Sequence, residues 1–199
     1  MALEDGSSTD RDLGQWAQTV LQNINEGEVG QRGEVWFGGQ LALVVLVLAA
    51  PYIPLAPFTS AAGFLLFATG AAVALSAAYA LGDSLSPWTK PVALNELRTD
   101  GIFGLCRHPI YTGLTLICAG LGLASLSAER LLVSALLFAF LTQKAASEET
   151  QLEVLHGDAY SAWAARVPPF FPAWSELEAG IDGGIDGVLR RAGLLKKDD

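Results

Sequence analysis

Two polar clusters hold the side chains able to do chemistry. Arg107, His108, Pro109, Ile110, Tyr111, Thr112 and Gly113 stand at the mouth of an uncharged stretch, and Glu148, Glu149, Gly157, Tyr160, Arg166 and Pro168 follow the next hydrophobic segment. Such clusters at the ends of apolar segments point to one active site at a membrane surface. Pro109 suits the first turn of a helix, which places His108 near the N-cap and Tyr111 in the opening turn. The helix then begins with unpaired N–H groups and its positive dipole end, which can hold a small ligand's carboxylate. The bland alternative is that Arg107 and His108 only mark an interface. Lys144 and Glu148 lie four residues apart on one helical face. Alone they read as an ordinary ion pair worth roughly a few tenths of a kcal/mol. The functional reading has Lys144 facing a bound anion and Glu148 accepting hydrogen bonds from a polar cofactor, since an ionisable residue at membrane depth is a functional candidate. Glu149 points to a different face.

The elements that must position these groups are apolar helices. No charged side chain occurs over the 48 residues between Glu34 and Asp83, enough for two helices of about 20 residues each, with Pro51, Pro54 and Pro57 dividing them. Pro109 to Ala128 is a third uncharged run. The fourth, Leu131 to Gln143, has 13 residues and spans only if Lys144 and its successors reach the far interface or face the bundle interior. A return to the starting side would bring the two clusters together. The fold expected is all-α: a polytopic membrane protein of about four transmembrane helices (residues 34–172), preceded by an amphipathic segment (1–33) and followed by a tail (173–199). In the first segment Leu13, Trp16, Ala17, Val20, Leu21 and Ile24 recur at helical spacing; this helix either lies in the lipid interface with Trp16 as anchor or docks a protein partner. In the tail Ile181, Ile185, Val188, Leu189 and Ala192 form a weak amphipathic pattern.

With four spans, Arg130 falls on one side and the other 11 of the 12 Lys and Arg on the opposite side, which places both termini and the Asp83–His108 loop on the cytoplasm-equivalent face. A formal charge of −9 without a basic patch argues against nucleic acid. Cys106 and Cys118 read as free thiols, and no metal set is expected. The acidic N-terminus is neither a secretory signal nor a transit peptide.

The run Asp100-Gly-Ile-Phe-Gly-Leu-Cys-Arg-His-Pro-Ile-Tyr-Thr-Gly113, followed by Glu148-Glu149, Leu152, Gly157-Asp-Ala-Tyr160 and Arg166-Val-Pro168 to Pro172, resembles the isoprenylcysteine carboxyl methyltransferases and related phospholipid methyltransferases. The resemblance covers about Trp88 to Pro172. It implies transfer of a methyl group from S-adenosylmethionine, bound on the cytosolic side, to a lipid-bearing acceptor that enters from the bilayer. An isoprenylcysteine-like carboxylate is the favoured acceptor, with a phospholipid or amine as alternative and a non-catalytic membrane scaffold as the reading from another class. Carried over by position, Asn95, Glu96, Leu97, Arg98, Phe103, His108, Pro109, Ile110, Tyr111 and Glu148 would contact the cofactor, with Trp88 as an addition. Lys144 falls where the prenylcysteine enzymes usually have an arginine that holds the substrate carboxylate, and Arg166 is the other basic candidate; with Glu148 they form the expected catalytic set. Lysine keeps the charge but loses the bidentate fork. Phe103 occupies a position often held by tyrosine.

Overall fold

The computed structural model describes residues 13–25, 28–49, 57–88 and 97–172. Every regular element among them is helical: α1 (Leu13–Asn25), α2 (Glu34–Ala49), α3 (Pro57–Leu81), α4 (Pro109–Ala124), α5 (Ala128–His156) and α6 (Asp158–Ala164), with 3-10 turns at Gly82–Ser84 and Gly101–Gly104. The residues called Asn95 and Glu96, the proline-rich 50–56 and the tail from 173 onward lie outside the described residues.

Helices α3 and α4 pack most extensively, and their glycines explain why. A Cβ on Gly70 would sit 2.6 Å from the Gly113 carbonyl oxygen, one on Gly113 would meet Ala74 Cβ at 2.8 Å, and one on Gly120 would meet Gly63 O at 2.7 Å. Two antiparallel rows of small residues therefore let the backbones touch, the source of cohesion when lipid removes the hydrophobic drive between helices. α5 then packs on both α4 and α2, around Val47, Cys118, Leu137 and Leu141.

Ends are fixed by specific caps. Ser127 Oγ accepts from Arg130 N at 3.2 Å and starts α5, as expected of an N-cap. The buried Arg130 donates from Nε to Val47 O at 2.9 Å, a cation against the last turn of α2 where orphan carbonyls and the negative dipole end favour one. At the far end Gly157, with φ +55°, terminates α5, a conformation open to glycine.

The outward faces are apolar: Leu46, Leu48, Phe64, Leu65 and Leu75 are all exposed, a surface that water would penalise and lipid would not. Two apolar stretches, Ser60–Ser84 and Ala128–His156, are long enough to cross a membrane, whereas α2 and α4, at 16 residues each, extend only about 24 Å at 1.5 Å per residue. Where two full-length spans were expected before Asp83, the described residues hold one long helix and one of 16 residues.

Helix α1 lies on this chain's own loop, a partner that its amphipathic stripe did not specify. Trp16 Nε1 donates to Gly82 O (3.2 Å), Asn23 Nδ2 to Asp83 O (2.7 Å) and Leu85 O (3.1 Å), and Trp88 Nε1 donates back to Ile24 O (3.0 Å). Loop carbonyls without a ladder need partners, and α1 supplies them.

Candidate active site at one end of the helix bundle

Because consecutive helices run antiparallel, the start of α2, the end of α3, the start of α4 and the later part of α5 meet at one end. There they enclose a cavity of about 480 Å³, within the range of small-molecule sites.

The α4 entrance is built by a strap. Arg107 N and His108 N donate to Pro168 O (2.9 Å) and Pro169 O (2.8 Å), and Thr112 Oγ1 donates to Phe170 O (2.9 Å). Prolines lack an N–H but keep a carbonyl, so a proline-rich segment supplies acceptors and demands no donors in return. Phe170 also packs on the His108 ring, at 5.8 Å, and on Phe138, at 5.3 Å. His108 is the N-cap and Pro109 the first helical residue, and no side chain caps the turn. Ile110 and Tyr111, in the first turn where backbone N–H groups lack intrahelical partners, both line the cavity.

From α5 the two glutamates divide. Glu148 lines the cavity; it accepts from Tyr111 Oη at 2.5 Å and its Oε2 lies 3.7 Å from His108 Nδ1. Glu149 does not line it: the carboxylate is held by His108 Nε2 at 2.9 Å and by Arg107 Nη2 at 2.9 Å, while Arg107 Nη1 grips Ala164 O at 2.8 Å. His108, 8% exposed and stacked on Tyr111 at 5.5 Å with 3° between the rings, is thus fixed between the carboxylates. Lys144 is 2% exposed. Its Nζ donates to Gln40 Oε1 (3.0 Å) and Pro87 O (3.3 Å) and lies 5.1 Å over the Tyr111 ring.

Beneath the site, Phe103 packs with Ile102, Tyr160, Trp163 and Val167. Burial pushes the Tyr160 phenol up to about 12, reinforced by the Glu149 charge. Burial likewise pushes the Cys106 thiol up to about 11, with its contact to Thr112 pulling the other way. Both cysteines are free and buried.

Of the residues singled out from sequence, Trp88, Phe103, Arg107, His108, Pro109, Ile110, Tyr111, Lys144, Glu148 and Leu152 line this cavity. Leu97 packs against the core under α6, and Arg98 is half-buried beside it; neither lines the cavity. Arg166 is exposed, with Nε bonded to Ala162 O at 3.1 Å, away from the lining. Sequence reasoning missed Gln40, Phe37 and the α1 residues Val20 and Ile24, which line the cavity too, beside the loop residues Leu85 to Pro87. Gln40 carried a signal, as the only amide side chain between Glu34 and Asp83, where an unpartnered amide would be costly. The α1 wall had none, because an amphipathic stripe does not say what it covers.

No curated protein matches the chain. The phospholipid methyltransferase family matches residues 58–159, just over half of the 199, from α3 through Lys144 and both glutamates into α6. A match over that share of the chain shows the family: the chain belongs to the phospholipid methyltransferase family, whose members are integral membrane methyltransferases.

Proposed function

We propose that this protein transfers a methyl group from S-adenosylmethionine to a membrane-borne acceptor, with α2 and α4 crossing the bilayer beside α3 and α5. The observation that carries the reading is Glu148, held by Tyr111 and His108 in the wall of a cavity that the first residues of α4 also line. The donor set fits the cofactor: a carboxylate to accept hydrogen bonds from its amino or hydroxyl groups, first-turn N–H groups to receive its carboxylate, and the aromatic Phe103 and Trp88 to flank an adenine. When bound, S-adenosylmethionine supplies an electrophilic methyl group on a sulfonium.

The chain's own residues then bind and orient. Glu148, His108, Ile110 and Tyr111 form the cofactor side, with Pro109 fixing the helix start; Lys144 forms the acceptor side. In this reading Asn95 and Glu96 stay with the cofactor side, whereas Leu97, Arg98 and Arg166, which do not line the cavity, join the site only if the segments that carry them move toward it. Holding an acceptor oxygen in line with the methyl group accounts for much of the barrier without a covalent nucleophile.

The buried Lys144 ammonium favours an acceptor bearing an anionic oxygen, with an isoprenylcysteine-like carboxylate as the first choice. The family match supports a phospholipid amine as the second reading, and there the His108–Glu148 pair would have to take a proton from an ammonium head group. A carboxylate is ionised near neutral pH and needs no base. The pH–rate profile therefore separates the two: flat from about pH 6 to 9 for a carboxylate, rising with pH for an amine.

The primary test is calorimetric titration of S-adenosylhomocysteine into the detergent-solubilised protein beside its His108→Ala variant. Binding that the variant loses is expected; a folded wild type that does not bind would overturn the methyltransferase reading and favour a scaffold.

A further inference from the structure

The α2 side of the cavity contains an arrangement that the methyl-transfer reading does not by itself require. Lys144 Nζ carries three N–H bonds and no acceptor. Two are directed to neutral oxygens, Gln40 Oε1 at 3.0 Å and Pro87 O at 3.3 Å, above the Tyr111 ring. Among the described residues no carboxylate oxygen lies within ion-pair distance of this nitrogen, and Glu148, one turn away, is taken up by Tyr111 and His108. The third N–H is left for something else.

Gln40 fixes what that is. An ammonium only donates, so the amide must present its oxygen to Lys144. Its NH₂ then points away from the lysine and has no partner among the described residues. Gln40 and Lys144 both line the cavity. Two adjacent donors, one on an ammonium and one on an amide that the ammonium itself orients, match the two oxygens of a carboxylate or a phosphate. This restores the two-point geometry that a lysine alone lacks. Pro87 O and the Tyr111 face hold the ammonium from the other sides, so the pair is set before a ligand arrives. The geometry points to Gln40 and Lys144 as the two halves of a composite cradle for the anionic head of a lipid-borne ligand. Gln40 is then a specificity-determining residue supplied from outside residues 58–159. As a statement about the acceptor this rests on the methyl-transfer reading; as a statement about anion binding it does not.

The test uses the full chain in detergent without cofactor and two probe pairs: N-acetyl-S-farnesylcysteine against its neutral carboxamide, and short-chain phosphatidylethanolamine against an alkyl ethanolamine lacking the phosphate. The wild type is expected to favour the anionic member of one pair by about tenfold or more, the scale of a hydrogen bond to a charged group. The pair that responds identifies carboxylate or phosphate. Gln40→Leu should cut the preference below about threefold. Gln40→Glu keeps an oxygen for Lys144 while removing the NH₂, and should abolish it, which excludes mere displacement of the lysine; melting followed by tryptophan emission shows that each variant is folded. An unchanged preference in Gln40→Glu, or no preference by the wild type in either pair, overturns the cradle. So does a loss confined to S-adenosylhomocysteine affinity, which would assign the donors to the cofactor. Failure of the wild type to bind S-adenosylhomocysteine sinks the methyl-transfer reading alone, since the lipid pairs are read without it.

Discussion

Adjacent glutamates with opposite duties make the sharpest residue-level contrast. Glu148 faces the cavity under Tyr111 and His108, whereas Glu149 holds His108 and Arg107, and Arg107 in turn reaches Ala164 O at the C-terminal end of α6. Glu148→Gln is expected to weaken S-adenosylhomocysteine binding about tenfold or more, the scale of a charge-assisted bond. Glu149→Gln should instead lower the melting temperature and leave most of the affinity; equal losses of affinity in calorimetry would contradict the division. Cys106 offers a second check. A thiol held near 11 by burial is almost wholly protonated at pH 8, and the thiol form is a poor nucleophile. Iodoacetamide at pH 8 should label it only as fast as the protein unfolds, and rapid labelling of the native protein by mass spectrometry would refute the packing around it. The sequence made Glu148 and His108 legible because helical spacing and a proline at the first turn fix where such side chains go. It hid Gln40, since only the fold brings residue 40 to residue 144.

At the scale of elements, the start of α4 was readable, because Pro109 acts through a local conformational preference; Ser127 and Gly157 act the same way at the two ends of α5. What each face covers was not readable. The small residues of α3 and α4 allow close helix approach through Gly70 and Gly113. Gly113→Val must push a side chain into the Gly70 carbonyl and Ala74, and should cost at least the roughly 1–3 kcal/mol of ordinary overpacking, read as a lowered unfolding midpoint in detergent. Helix α1 shows the limit: its stripe predicted a helix but not that the loop at Gly82–Trp88 would be its partner, because the carbonyls it satisfies belong to an irregular segment with no sequence signature. Asn23→Ala removes two of those bonds at 2.7 and 3.1 Å and should destabilise the α1 contact by about 1–3 kcal/mol. Faster trypsin cleavage at Arg32 with the rest of the chain protected would report it.

For the whole molecule, the alternation of apolar helices made the meeting of the two polar clusters foreseeable, since an antiparallel run of four returns Glu148 to the end where His108 begins. Helix lengths were less legible, because charge-free runs mark where lipid is tolerated and not where a helix stops. If α5 crosses the bilayer, cysteines introduced at the exposed Leu126 and Val154 should react with an impermeant maleimide from opposite sides of a sealed vesicle, against the silent background of the buried native thiols. Labelling of both from one side would exclude the crossing. The cavity walls, finally, have different provenance. Val20, Ile24, Phe37 and Gln40 come from before residue 58, while Phe103, His108, Tyr111, Lys144 and Glu148 lie inside the matched segment. A recombination event near Pro57 would exchange one wall and leave the other intact, so chains with similar catalytic halves are free to diverge in the lipids they accept.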